Sequence, residues 1–200
     1  MTPEHPALAP VRGGPPPAEE RRALLIGGRA SVLRRLAAAL RQNGIGAEIT
    51  TEVRDVPAEE LRPYGAVAFD PAVTEGDRAA VREAFARAGV DAVFVDGPTP
   101  VVPVLAARME QALDRTPAHR RPLTSLAADG HAVTVEVGAA CHVELTVHRL
   151  DRLHRTRTRV LLDAPLEAGR HSAALDGKEA RGRSFAVARG GGNVLVTAVR

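Results

Sequence analysis

The feature that most constrains this chain is a change of hydrophobic period partway along its 200 residues. Up to about residue 115 the apolar positions form short unbroken runs or recur every three to four residues. Beyond 122 they alternate, as in Val133, Val135 and Val137 interleaved with Thr134 and Glu136. The first period belongs to helices packed by one face and the second to strands with one covered face. The polar stretch Thr116-Pro117-Ala118-His119-Arg120-Arg121-Pro122 marks the change. The expected organisation is a disordered tail over 1–21, an α/β domain over 22–115, a linker over 116–122 and a β-sandwich domain over 123–200. Residues 1–21 hold six of the fifteen prolines and almost nothing large to bury, so they cannot offset their ordering entropy.

In the first part, Ala23-Leu24-Leu25-Ile26 reads as a strand running into Gly27-Gly28. Leu33, Leu36, Ala37 and Leu40 then recur at helical spacing, with Asn43-Gly44 as the stop. Ala47 to Val53 is a second strand, Pro57 to Leu61 a helical turn, and Ala66 to Phe69 a third strand ending at Asp70-Pro71. Thr74 with Asp77 three positions on approximates a capping box for a helix whose core face is Val81, Ala84, Phe85 and Ala88. Ala92 to Val95 is a fourth strand, followed by a helix packing Val102, Leu105, Met109 and Leu113. Strands that are nearly continuous apolar runs separated by helices imply a parallel sheet covered on both faces. The expected type is Rossmann-like or flavodoxin-like, with order 2-1-3-4 and a topological switch between the first and third strands.

In the second part, Cys141, Val143, Leu145 and Val147 alternate with His142, Glu144, Thr146 and His148. Further strands are expected over 159–163, 171–175, 184–188 and 194–199, with turns at Glu167-Ala168-Gly169 and Gly190-Gly191-Gly192. Short alternating strands at this spacing describe an antiparallel sandwich, so the fold class is α/β plus all-β. The segment from Leu166 through Gly169 to Leu175-Asp176-Gly177 resembles the edge hairpin of the immunoglobulin-like domain at the C-terminus of flagellar hook-capping proteins and many surface proteins. Ala180-Arg181-Gly182-Arg183 echoes that family's glycine-containing turn, and Leu175 stands where it usually has tryptophan. The resemblance implies an immunoglobulin-like fold serving as a spacer or interaction module.

Chemistry is sparse. Gly27, Gly28 and Arg29 sit where dinucleotide-binding folds place their glycine loop, because backbone amides at a helix N-terminus receive a pyrophosphate only when no side chain intervenes. Ser31 is available as helix cap, Arg29 as a phosphate partner, and Glu52 stands near the position of a ribose-binding acid. The full G-x-G-x-x-G spacing is absent. The stretch also resembles the opening of short-chain dehydrogenases, whose proton transfer uses a tyrosine and a lysine four residues apart. Tyr64 and Lys178, the only residues of their kinds, are 114 positions apart, so that chemistry fails. Asp70 is similar in position to the phosphorylated aspartate of response-regulator receivers, but the two further acids after the first strand and the lysine after the fifth are missing.

His142 and Glu144 would project from one sheet face about 7 Å apart, with no third metal ligand implied by spacing. His148, four residues farther on, is expected on the same solvated face. Cys141 falls on the apolar face, where a thiol is inert packing. One cysteine excludes an intramolecular disulfide. Residues 1–118 carry 14 basic and 16 acidic groups and residues 119–200 carry 13 and 8, the excess gathering at Arg149, Arg152, Arg155, Arg157 and Arg159. With Phe185 the second part's only aromatic ring apart from histidines, no base-stacking platform accompanies them, which argues against nucleic acid. No run approaches the roughly 18 apolar residues of a membrane span, and the first residues lack a secretory pattern, so a cytoplasmic protein is expected. The expectation is a non-enzymatic binding or assembly protein with a protein partner or self-association, no catalytic residues, no metal and no cofactor. The alternative is a nucleotide-binding enzyme or sensor, with NAD or NADP held by Gly27, Gly28, Arg29, Ser31, Glu52 and Asp70.

Overall fold

The computed structural model describes residues 22–51, 56–95, 101–151, 155–179 and 183–199. The expected tail over 1–21 lies outside them. The first four strands are β1 (Arg22–Ile26), β2 (Gly46–Thr50), β3 (Tyr64–Phe69) and β4 (Val93–Val95), forming a parallel sheet of order β2-β1-β3-β4. Their helices are α1 (Ala30–Gln42), α2 (Ala58–Leu61), α3 (Glu75–Arg87) and α4 (Val102–Ala112).

Continuous apolar strands are needed because the sheet has two covers. Ala23 and Leu25 of β1 with Ala66 and Ala68 of β3 point toward α1 and α4. Leu24, Ile26, Val67 and Phe69 point the other way, toward α2 and α3. Helix α1 buries Leu33, Leu36, Ala37 and Leu40, the stripe its spacing requires. It stops at Asn43, and Gly44 follows in the left-handed region at φ 73°. Helix α3 opens on the expected box: Thr74 Oγ1 accepts from the Asp77 amide at 3.2 Å and donates to the Asp77 carboxylate at 2.7 Å.

After a short 3-10 turn over Ala118–Arg120 come β5 (Leu123–Ala128), β6 (Ala132–Val137), β7 (Cys141–Leu150), β8 (Thr156–Leu166), β9 (Gly169–Ala174), β10 (Ser184–Gly190) and β11 (Asn193–Ala198). They form two antiparallel sheets, β5-β6-β9 and β11-β10-β7-β8. Leu123, Val133, Val135 and Val137 of the first meet Val143, Leu145, Val147, Ala186 and Ala188 of the second, filling the space between with β-branched and small side chains. The fold class is thus α/β followed by all-β. Strands β8 and β9 lie in different sheets, so Glu167-Ala168 joins them as an arch between layers rather than as a hairpin within one sheet.

Helix α4 is apolar on two sides. Met109, Ala106 and Val102 join the α/β core, while Val101, just ahead of the helix, and Val104 and Ala107 within it pack on Phe185, Val187 and Val194 of the larger antiparallel sheet. That sheet consequently has its inner face on the sandwich core and part of its outer face on a helix. Strand β10 is buried along nearly its whole length as a result. Among the described residues no helix is long and apolar enough to cross a membrane.

Candidate functional site

The last carbonyl of β1 accepts from the residue that follows the neighbouring strand β3, Asp70 N–H donating to Ile26 O at 2.8 Å. This pins Asp70, 3% exposed, beside the Gly27 turn. A Cβ built on Gly27 would lie 2.2 Å from the Asp70 Cβ, and Gly27 has φ 149°. Glycine is therefore required here by an aspartate side chain crossing the turn. Gly28 has open space where its Cβ would be.

The Asp70 carboxylate is fully engaged. Its Oδ2 accepts from the Arg29 backbone N–H at 2.9 Å, its Oδ1 from the Ala72 N–H at 2.9 Å, and the Arg29 guanidinium lies 3.7 Å from Oδ1. Arg29 is the residue that opens α1, and neither it nor any acid in the first turn supplies a side-chain cap. A negative charge at this point complements the exposed amides and partial positive charge of the helix end. The place where a phosphate is expected thus contains the chain's own carboxylate.

Gly27, Gly28, Arg29 and Asp70 lie near one another at the C-terminal edge of the parallel strands. Ser31 does not cap α1: it is exposed at the second helical position, because the helix already starts at Ala30. Glu52 and the loop over 96–99 lie outside the described residues. Tyr64 begins β3 at the opposite end of the sheet, where its hydroxyl donates to Glu48 and Arg22 stacks over its ring. Burial, then the Glu48 bond, pushes this phenol up to about 12, which removes it from proton transfer near neutrality. A shallow groove of about 500 Å³ lined by Arg62, Tyr64, Gly89, Asp91 and Arg115 also lies at that opposite end. It does not include Gly27 or Asp70.

In the β part, His142 and Glu144 are exposed, and His142 Nε2 lies 2.6 Å from Asp163 Oδ1. Among the described residues no group of three His, Cys, Asp or Glu side chains is placed to hold a metal ion. Cys141 is half-buried against the sandwich core, and burial pushes its thiol up, away from the reactive thiolate. Two members of the arginine cluster are paired with acids of the same part: Arg157 bonds Asp151 at 3.2 Å, and Arg159 bonds Glu179 at 2.9 Å and Asp176 at 3.4 Å. Arg152 lies outside the described residues.

His148 departs from the expected solvated face. It is 6% exposed, because the outer face that holds His142 and Glu144 at one end is covered at the other. Glu110 is also 6% exposed; both terminal nitrogens of Arg189 bond it, and Asn43 Nδ2 donates to it at 2.7 Å. One turn on, Asp114 accepts from Asn193 Nδ2 at 2.8 Å and from the Thr116 N–H at 2.8 Å, with Arg121 3.6 Å away. Burial pushes the Asp114 carboxyl up, but these partners outweigh it and leave it below the usual carboxylate range. Sequence reasoning did not single out Glu110, Arg189 or Asn193. The available signal was an acid beside Met109 in a helix already apolar on more than one side.

No protein-family model matches the chain. A comparison with curated proteins likewise found no match.

Proposed function

We propose that this chain is a non-enzymatic binding or assembly protein, acting through protein–protein contacts of a Rossmann-like α/β domain and an immunoglobulin-like sandwich, in the cytoplasm. The observation that carries the reading is the Asp70 carboxylate at the start of α1. A phosphate entering there would meet a like charge already holding the Arg29 and Ala72 amides. Surfaces supply the positive side of the argument. Strand β8 is the outer strand of its sheet, and Val160 on it is 53% exposed. The register shift opposite Leu145/Thr146 and Pro165 on the same strand limit open-ended strand addition, favouring a bounded contact.

The test pairs two measurements on the full chain. Thermal melts with NAD, NADP, FMN, ATP and cyclic nucleotides are expected to leave the midpoint unchanged, since only a ligand of the folded state raises it. Light scattering after size exclusion is expected to show a mass that grows with concentration, or a monomer that forms a defined complex with a protein partner. A rise of several degrees with one nucleotide would instead support the alternative, an enzyme or sensor holding NAD or NADP at Gly27, Gly28 and Arg29.

A further inference from the structure

The seam between α4 and the outer face of the larger antiparallel sheet combines apolar packing with a buried imidazole. Val101, Val104 and Ala107 lie against Phe185, Val187 and Val194. His148 is directly opposite Phe185 in the ladder, as Thr146 is opposite Val187, so all four point toward the face that α4 covers. The ring of His148 meets neutral hydroxyls: Nδ1 is 2.9 Å from Thr158 Oγ1 and Nε2 is 3.2 Å from Thr146 Oγ1. Thr146 donates its own hydroxyl to Val187 O at 3.4 Å, which assigns the imidazole proton to Nε2 and leaves Nδ1 to accept from Thr158. Both ring nitrogens are then satisfied with the ring neutral.

The charged groups around this ring are unequal. Strand β10 contributes Arg189, β8 contributes only the Thr158 hydroxyl, and β11 contributes Val194, Val196 and Ala198. Helix α4 contributes Arg108, whose guanidinium stands 5.7 Å over the Phe185 ring, and Glu110, already committed to Arg189 and Asn43. We infer that this seam is an acid-released latch, in which protonation of His148, next to Phe185 on the face that α4 covers, adds a second cation to the one Arg189 already places on that face and loosens the helix from the sheet. Release would expose the apolar strip of Phe185, Val187 and Val194.

The direction follows from the ring's two environments. Burial first, and the Arg189 charge second, hold it at about 4 in the closed seam against an ordinary 6.5 in water. The latch is at full strength above pH 6.5 and weakens as pH falls toward 4, by about 30-fold at pH 5.

Hydrogen exchange on the full chain between pH 7 and 5, corrected for the chemical rate at each pH, tests the latch. The α4 amides are expected to exchange about 20-fold faster at pH 5 than at pH 7, while β1 and β6 keep their protection. In His148→Gln that acceleration should vanish, and His148→Phe serves if the glutamine variant does not fold. The latch is overturned by unchanged α4 exchange in the native chain, by equal acceleration in every strand, or by a variant that accelerates as the native chain does. A proton-resonance titration placing His148 near 6.5 in the native chain overturns it without any variant.

Discussion

Two buried acids, Asp70 at the C-terminal edge of the parallel sheet and Glu110 on α4, are satisfied in different ways. Asp70 is held by backbone amides of its own layer, from Ala72 two residues on and from Arg29, which follows the turn that requires Gly27. Glu110 is held by side chains from elements distant in sequence, Asn43 of the α1 terminus and Arg189 of β10. The first arrangement completes a local turn within one layer. The second connects three elements, so its loss is felt on both sides of α4.

The contrast can be broken by substitution. Glu110→Ala leaves Arg189 without its acid at a mostly buried seam and should cost about 3 kcal/mol in urea unfolding. The cost should exceed that of Asp70→Ala, and the opposite order would mean that the contacts across α4 are the weaker of the two. Gly27→Ala should cost about 2 kcal/mol, since the new Cβ must displace the Asp70 side chain at an unfavourable φ. A double-mutant cycle with Asp70→Gly should recover part of that loss, and simple additivity would show that the two residues do not share the space. Thr74→Ala, which removes a cap remote from both acids, should cost about 1 kcal/mol in the same assay.

A pH series sharpens the comparison at its smallest effect. Because Asp114 has a depressed folded-state pKa, its contribution is present above the unfolded carboxylate range near 3.8 and is lost as pH falls below it. In Asp114→Asn the fall in stability below pH 4 should be shallower than in the native chain. The His148 component, acting between 6.5 and 4, should remain unchanged in that variant.

Much of the architecture was legible because the pattern of each element reports its covers. The stripe on α1 and the Thr74 box read directly, and the runs in β1 and β3 foretold helices on both faces of a 2-1-3-4 sheet. Strand β5 was missed because Leu123-Thr124-Ser125-Leu126-Ala127-Ala128 alternates weakly and buries chiefly Leu123. The nearness of Asp70 to Gly27 and Arg29 was legible from the ends of β1 and β3, but not what holds them together. Gly27 carries the mark of close backbone approach, and only coordinates show that what approaches is Asp70. His148 was misplaced because period alone assigns a face and cannot say which end of that face a helix from another layer covers.

Helix α4 forms part of the wall of two compartments at once. An amino-acid change along it is judged by neighbours on opposite sides, so its tolerated alphabet should be narrower than that of α1 or α3, each of which has a water-facing flank. Cutting the chain at the polar stretch between α4 and β5 would uncover Val101, Val104 and Ala107 on one fragment and Phe185, Val187 and Val194 on the other. Each fragment would then carry a sticky apolar scar where the intact polypeptide has an interior.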